Sequence, residues 1–151
     1  MTDKVTLTPR EAVVDAFHRC LQGIDNNDHA LFESACLTNE TMAIVAGSTT
    51  LDGWTAINEF FERLFALVTS HMTSNIRVQM EDGADTASLT AHALAHHIRP
   101  EDAFKAEDTS YTASSLYFLN LVRDGRDGLW KIKKWEIKAQ WTTGDINILH
   151  G

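Results

Sequence analysis

A chain of 151 residues with 44% hydrophobic side chains is the size of a single domain, residues 1–151, that can bury a core of its own. Its 21 acidic against 13 basic residues give a formal charge of −8, and no basic run exceeds Lys133-Lys134, which argues against a nucleic-acid partner gripped through its phosphates. Met1 opens no basic-then-apolar leader, no apolar run reaches membrane-spanning length, and Cys20 and Cys36 stand outside any CxxC pattern. The expectation is a cytoplasmic protein with no membrane partner and two reduced, buried thiols.

Thr8-Pro9-Arg10-Glu11 combines an N-cap residue, a proline at the first helical position and a glutamate three residues after the cap. A first helix starts there, buries Val13, Val14, Phe17, Cys20, Leu21 and Ile24 at helical spacing, and ends between Gly23 and Asn26. Residues 28–37 form a shorter helix, 41–46 a brief strand and 47–53 a turn. A third helix carries the apolar stripe from Trp54 through Phe61 to Val68 and ends before His71.

From His71 to Pro100 two strand-like runs flank a turn at Asp82-Gly83, which reads as a hairpin. A polar loop, 100–109, leads to a strand over 111–123. The turn 124–128 and a last strand over 129–141 complete the chain. Three helices with one early strand among them, followed by four antiparallel strands, predict an α+β cone in which a curved sheet wraps around the helices from one side.

Alternation along the strands indicates which side chains face inward. Trp135, Ile137, Ala139 and Trp141 share one face of the last strand. Leu89, Ala91, Ala93, Ala95 and His97 share one face of the second hairpin strand, where the row of alanines leaves space. Trp54 and Trp141, each near an element end, are placed at the mouth of that space, and Phe61, Ala93, Ala95 and Trp135 in its wall.

The hairpin brings the start of one strand near the end of the other, so His71 lies at the same end of the sheet as His96 and His97. Histidine exchanges protons near neutrality, and an aspartate such as Asp25 bonded to one ring nitrogen fixes the tautomer and raises the basicity of the other. From spacing alone Asp25 reads first as a helix-end turn residue, and His71 as a surface or satisfied core residue at a strand end. A metal site built from His92, His96 and His97 is disfavoured. At about 3.3 Å per residue, His92 and His96 are about 13 Å apart, and His96 and His97 point to opposite faces. GxGxxG, P-loop and GxSxG motifs are absent.

With the element order in hand, the chain resembles the SnoaL-like branch of the nuclear-transport-factor-2-like (NTF2-like) superfamily. The resemblance rests on the turn Asp25-Asn26-Asn27-Asp28 and on Leu51-Asp52-Gly53 before the third helix. It extends through Ser70-His71-Met72-Thr73-Ser74-Asn75, residues 83–87, Ala95-His96-His97-Ile98-Arg99-Pro100 and Gly128-Leu129-Trp130-Lys131-Ile132. The layout is most similar to dehydratases of the scytalone and bile-acid type, which pair an aspartate after the first helix with a histidine opening a strand. Asp25 and His71 stand in those places, and His97 or His96 in that of a second catalytic histidine, the alanine-lined face favouring His97. Two tyrosines of the dehydratase are replaced, one by Ile24 and one by an apolar residue near Ile44 or Val45.

The resemblance implies a lyase or isomerase that needs no cofactor and no metal and acts on a hydroxylated, largely apolar cyclic molecule, such as a polyketide, steroid or terpenoid intermediate. Asp25, His71 and a protonated His97 would be its acid-base groups, and a homodimer or higher homo-oligomer its form. The rival expectations are a non-catalytic ligand-binding or assembly module, and the small subunit of an oxygenase.

Overall fold

The structure is a computed structural model that describes residues 6–105 and 109–150. Helix α1 (Pro9–Asp25) starts with the expected capping box: Thr8 accepts from the Glu11 backbone N–H, and Glu11 accepts from that of Thr8. Its C-terminus is closed by a Schellman motif. Asn27 is left-handed at φ 53°, its N–H donates to the Ile24 carbonyl, and the Asp28 N–H donates to that of Gly23. The Asp28 carboxylate then caps helix α2 (His29–Ser34) through the Leu31 N–H. This tight junction needs Gly23, because a Cβ there would sit 2.4 Å from the Phe32 backbone nitrogen.

Strands β1 (Ala43–Ala46) and β2 (Thr49–Asp52) precede helix α3 (Trp54–Leu64). Four long strands follow, β3 (Val68–Gln79), β4 (Thr86–Ile98), β5 (Ser110–Arg123) and β6 (Trp130–Gly144). They form one six-stranded sheet in the order β2-β1-β6-β5-β4-β3. All pairings are antiparallel except β1 with β6, which is parallel. The buried face of α1 (Val13, Phe17, Cys20, Leu21, Ile24) packs into one core with Phe61 of α3 and the inner face of the sheet. The result is the α+β cone. Cys20 and Cys36 are free thiols buried in this core.

Three boundaries differ from the pattern-based reading. The segment 47–53 contains strand β2, a short edge strand whose Thr49-Thr50 pair reads as turn composition. Helix α3 stops at Leu64 in a tight turn, and Val68 opens β3 instead of ending the helix, because Val68-Thr69 is β-branched and pairs with Ile98 and His97. Strand β6 runs on to Gly144, and a 3-10 turn, Ile146–His150, folds back over the inner face. Within the loop 100–109, Pro100–Asp102 forms a 3-10 turn, and residues 106–108 lie outside the described residues. No helix among the described residues is long and apolar enough to cross a membrane.

Candidate active site

Asp25 is the last residue of α1, and the Schellman turn aims its carboxylate at the first inward-facing positions of β3. There it accepts three hydrogen bonds. The Thr69 hydroxyl donates to Oδ1 at 2.9 Å, the His71 backbone N–H to Oδ2 at 2.8 Å, and His71 Nδ1 to Oδ1 at 2.7 Å. The His71 side chain is 5% exposed and that of Asp25 24%. Burial raises the Asp25 pKa, but the hydrogen bond and charge of His71, the His71 N–H and the Thr69 hydroxyl together outweigh it and hold the carboxyl below its ordinary value. An ionised carboxylate only accepts, so it fixes the neutral imidazole as the Nδ1–H tautomer and leaves the Nε2 lone pair free.

His71 borders a cavity of about 900 Å³ enclosed by the inner face of the sheet, the α1 end at Ile24, and Phe61 and Leu64 of α3. The register sets His71 beside Ala95, and Thr69 beside His97. His97 lines the same cavity, its ring 6.0 Å from that of His71 and nearly perpendicular to it. Its neighbour His96 faces outward and shares a hydrogen bond with the Thr112 hydroxyl at 2.8 Å. His92 also points away, toward Asn75. Alternation thus separates the three histidines, with His97 alone of them on the cavity side.

The protonated donor role given to His97 conflicts with its surroundings. Burial, reinforced by His71 and His96 and opposed by the Tyr111 hydrogen bond, lowers its pKa to about 4. The residue is 7% exposed and neutral near pH 7, and its Nδ1–H donates to the Tyr111 carbonyl at 3.1 Å. Its Nε2 is therefore an acceptor.

Of the side chains assigned to the pocket, Phe61, Ala95 and Trp135 line the cavity. Trp54, Ala93 and Trp141 do not. Trp54 packs against Phe32, with ring centroids 6.1 Å apart. Ala93 faces inward, but its short methyl group is enclosed in the core. Trp141 is 53% exposed because a bulge intervenes. Ser115 pairs with Ala139 and Ser114 with Trp141, so Gln140 is the extra residue and every side chain beyond it changes face. Thr142 takes the inward place that Trp141 loses.

Strand β5 supplies wall residues that the pattern-based reading left unassigned: Tyr111, Ala113, Ser115 and Tyr117. Their period-two spacing was the available signal. Burial raises the pKa values of both tyrosines, with smaller contributions from Cys20 and Asp25 at Tyr117, so both are O–H donors at neutral pH. Trp135 Nε1 is buried with no hydrogen-bond partner among the described residues. A second depression of about 890 Å³ at the other end of the sheet, bordered by Arg10, Met80, Glu81 and Lys133, is open to solvent and contains no histidine.

The cone, with an Asp-His pair at the end of its first helix, matches the SnoaL-like domain family over residues 5–136, and the chain belongs to that family. It is 35% identical over 146 residues to terrestric acid biosynthesis cluster protein E of Penicillium crustosum, covering 93% of this chain and 92% of that one. Among solved structures, a Novosphingobium aromaticivorans protein provisionally assigned as a scytalone dehydratase superposes with a TM-score of 0.74 at 22% identity, over 90% of this chain and 87% of that one. A type 2 hexachlorocyclohexane dehydrochlorinase (LinA) superposes at 0.71 and 20% identity, over 90% and 88%. These structural likenesses concern the fold, which is NTF2-like.

Proposed function

We propose that the protein is an acid-base lyase or isomerase of the dehydratase type, working on a hydroxylated, largely apolar cyclic molecule of secondary metabolism. The observation that carries this reading is the 2.7 Å contact between Asp25 and His71 Nδ1, which leaves Nε2 as a base at a mostly apolar cavity large enough for such a molecule. A curated relative named for a biosynthetic cluster, and structural neighbours named for eliminations, support the same reading.

In this mechanism Nε2 of His71 removes a proton from the carbon next to a carbonyl. The C–H electron pair forms the new double bond, and the C–O bond to a β-hydroxyl breaks. The imidazolium, stabilised by Asp25, returns its proton to the departing hydroxyl, which leaves as water. In an isomerisation the same proton goes to another carbon. His97 takes part through its Nε2 lone pair, which accepts a substrate hydroxyl hydrogen and orients the leaving group. The proton passed on by His71 replaces the protonated His97 of the earlier expectation.

The test is a set of small cyclic β-hydroxy ketones, with turnover followed by the ultraviolet absorbance of the enone product. His71→Asn keeps a donor at the Nδ1 position for Asp25 and removes Nε2. The reading predicts turnover by the parent protein and its loss in His71→Asn with an unchanged melting temperature. Equal rates in the two proteins would contradict it.

Self-association through the outer face of the sheet is part of the proposal. Met72, Leu94, Ser114 and Trp141 lie in register across four strands on that face, and Val68 and Phe118 extend the patch. Four of these large apolar side chains, Val68, Met72, Phe118 and Trp141, are exposed, an arrangement typical of a contact surface.

A further inference from the structure

Two hydrogen-bond donors in the cavity wall, the Trp135 indole N–H and the Tyr117 hydroxyl, make no side-chain hydrogen bond among the described residues. Trp135 is 3% exposed and its indole N–H is the one buried side-chain polar atom without a partner among the described residues. Tyr117 is 3% exposed as a residue; its hydroxyl makes no side-chain hydrogen bond among the described residues, but unlike the Trp135 N–H it is not one of their buried unpartnered atoms. Buried Tyr and Trp normally find a partner for their polar atom, and leaving one without is costly. The two rings touch in an edge-to-face arrangement with centroids 5.1 Å apart, and both line the cavity.

Their place in the sheet separates them from the proton-transfer groups. Ala113 is in register with Ala95 and, through it, with His71. Tyr117 lies two inward-facing positions further along β5, and Trp135 faces Leu119 on the adjoining strand. The register neighbours of the pair are apolar: Ile44 lies beside Trp135 and Ile137 beside Tyr117.

We infer that Tyr117 and Trp135 form a binding subsite for an uncharged oxygen acceptor of the substrate, a ketone or lactone carbonyl. An indole N–H can only donate, so an acceptor atom fits it and a hydroxyl hydrogen does not. With Ile44 and Ile137 as the pair's register neighbours, an uncharged oxygen fits better than a carboxylate, whose charge would have to reach the cavity-lining Arg63 or Lys138 for a counter-ion. The subsite anchors the molecule and leaves the proton transfers to His71, so it defines the substrate as one that carries an uncharged oxygen besides its reacting carbon. The reading of a carbonyl-bearing cyclic substrate rests on the proposed function, whereas the subsite itself can be tested by binding alone.

The probe is 1-tetralone, compared with tetralin, which has the same ring system without the oxygen. In ¹H–¹⁵N spectra of the full chain, the indole cross-peak that disappears in Trp135→Phe reports the subsite. Tetralone is expected to move this peak downfield, and tetralin to leave it in place or move it by ring-current shifts in a different direction. Tyr117→Phe, which removes an oxygen without a hydrogen-bond partner among the described residues, is expected to weaken tetralone binding about fivefold and leave tetralin binding unchanged. His71→Asn is expected to keep the preference for tetralone over tetralin, so a failure of the catalytic reading remains distinguishable from a failure of the subsite. An indole peak unmoved by tetralone up to its solubility limit would overturn the inference, and so would equal tetralone affinity in Tyr117→Phe and the parent.

Discussion

Asp25 holds a backbone N–H, a hydroxyl and an imidazole N–H with two oxygens, so its position is determined from three directions. Replacing it by asparagine keeps the size but swaps an acceptor for a donor, which sets Nδ1 of His71 against an amide N–H and favours the wrong tautomer. Asp25→Asn is predicted to lower kcat by about 10²–10⁴ with KM changed much less, measured by steady-state kinetics on whichever β-hydroxy ketone the parent turns over. His97 makes a different prediction. Its folded pKa of about 4 lies below the unfolded value of about 6.5, so between these the unfolded chain binds a proton that the folded chain does not. The stability this contributes is complete above pH 6.5 and is lost as the pH falls toward 4, on the order of 3 kcal/mol. His97→Gln should flatten the dependence of melting temperature on pH in that window. The carboxyls of Asp25 and of Asp124, the latter held down by Arg126 and Lys131, also have lowered pKa values, and their contributions disappear only below about pH 4. An equally steep decline between pH 6.5 and 4 in His97→Gln would contradict the assignment.

Elements place these residues through their ends. The junction of α1 and α2 fixes Asp25, and it depends on a glycine at 23 and a left-handed asparagine at 27. Gly23→Ala would force a methyl group into the Phe32 backbone. The predicted cost is about 1–3 kcal/mol, or roughly 3–9 °C in melting temperature by calorimetry for a chain of this size. The helix starts, the hairpin and the alternation of β4 were legible in the sequence because capping and alternation are local rules; the alanine-lined face favoured His97 over His96 for the cavity but left both open. The bulge at Gln140 was not legible. No residue type announces it, yet it turned Trp141 to solvent and brought Thr142 to the cavity. Strand β2 escaped notice for a related reason, since its pairing with β1 is decided by the chain around it rather than by its four residues.

At the scale of the whole molecule, the sheet divides the protein into a concave side with a cavity and a convex side with an apolar patch. The cavity was only partly legible, because its volume depends on how far helices and sheet diverge, and that is set by packing among residues distant in sequence. Tyr111, Ser115 and Tyr117 were recognisable as strand residues, but their role in the wall needed the sheet order. On the convex side, Trp141→Arg combined with Met72→Glu is predicted to shift the protein from dimer or higher oligomer to monomer in light scattering, with its fold unchanged by circular dichroism. A parent protein that is monomeric at high concentration would refute this. The central claim, that Asp25 presents His71 to the cavity as a base, is tested most directly by the ¹⁵N shifts of the His71 ring at alkaline pH, where the imidazole is neutral. The account predicts the proton on Nδ1 and an unprotonated Nε2. A proton on Nε2 would leave no lone pair facing the cavity and would contradict it.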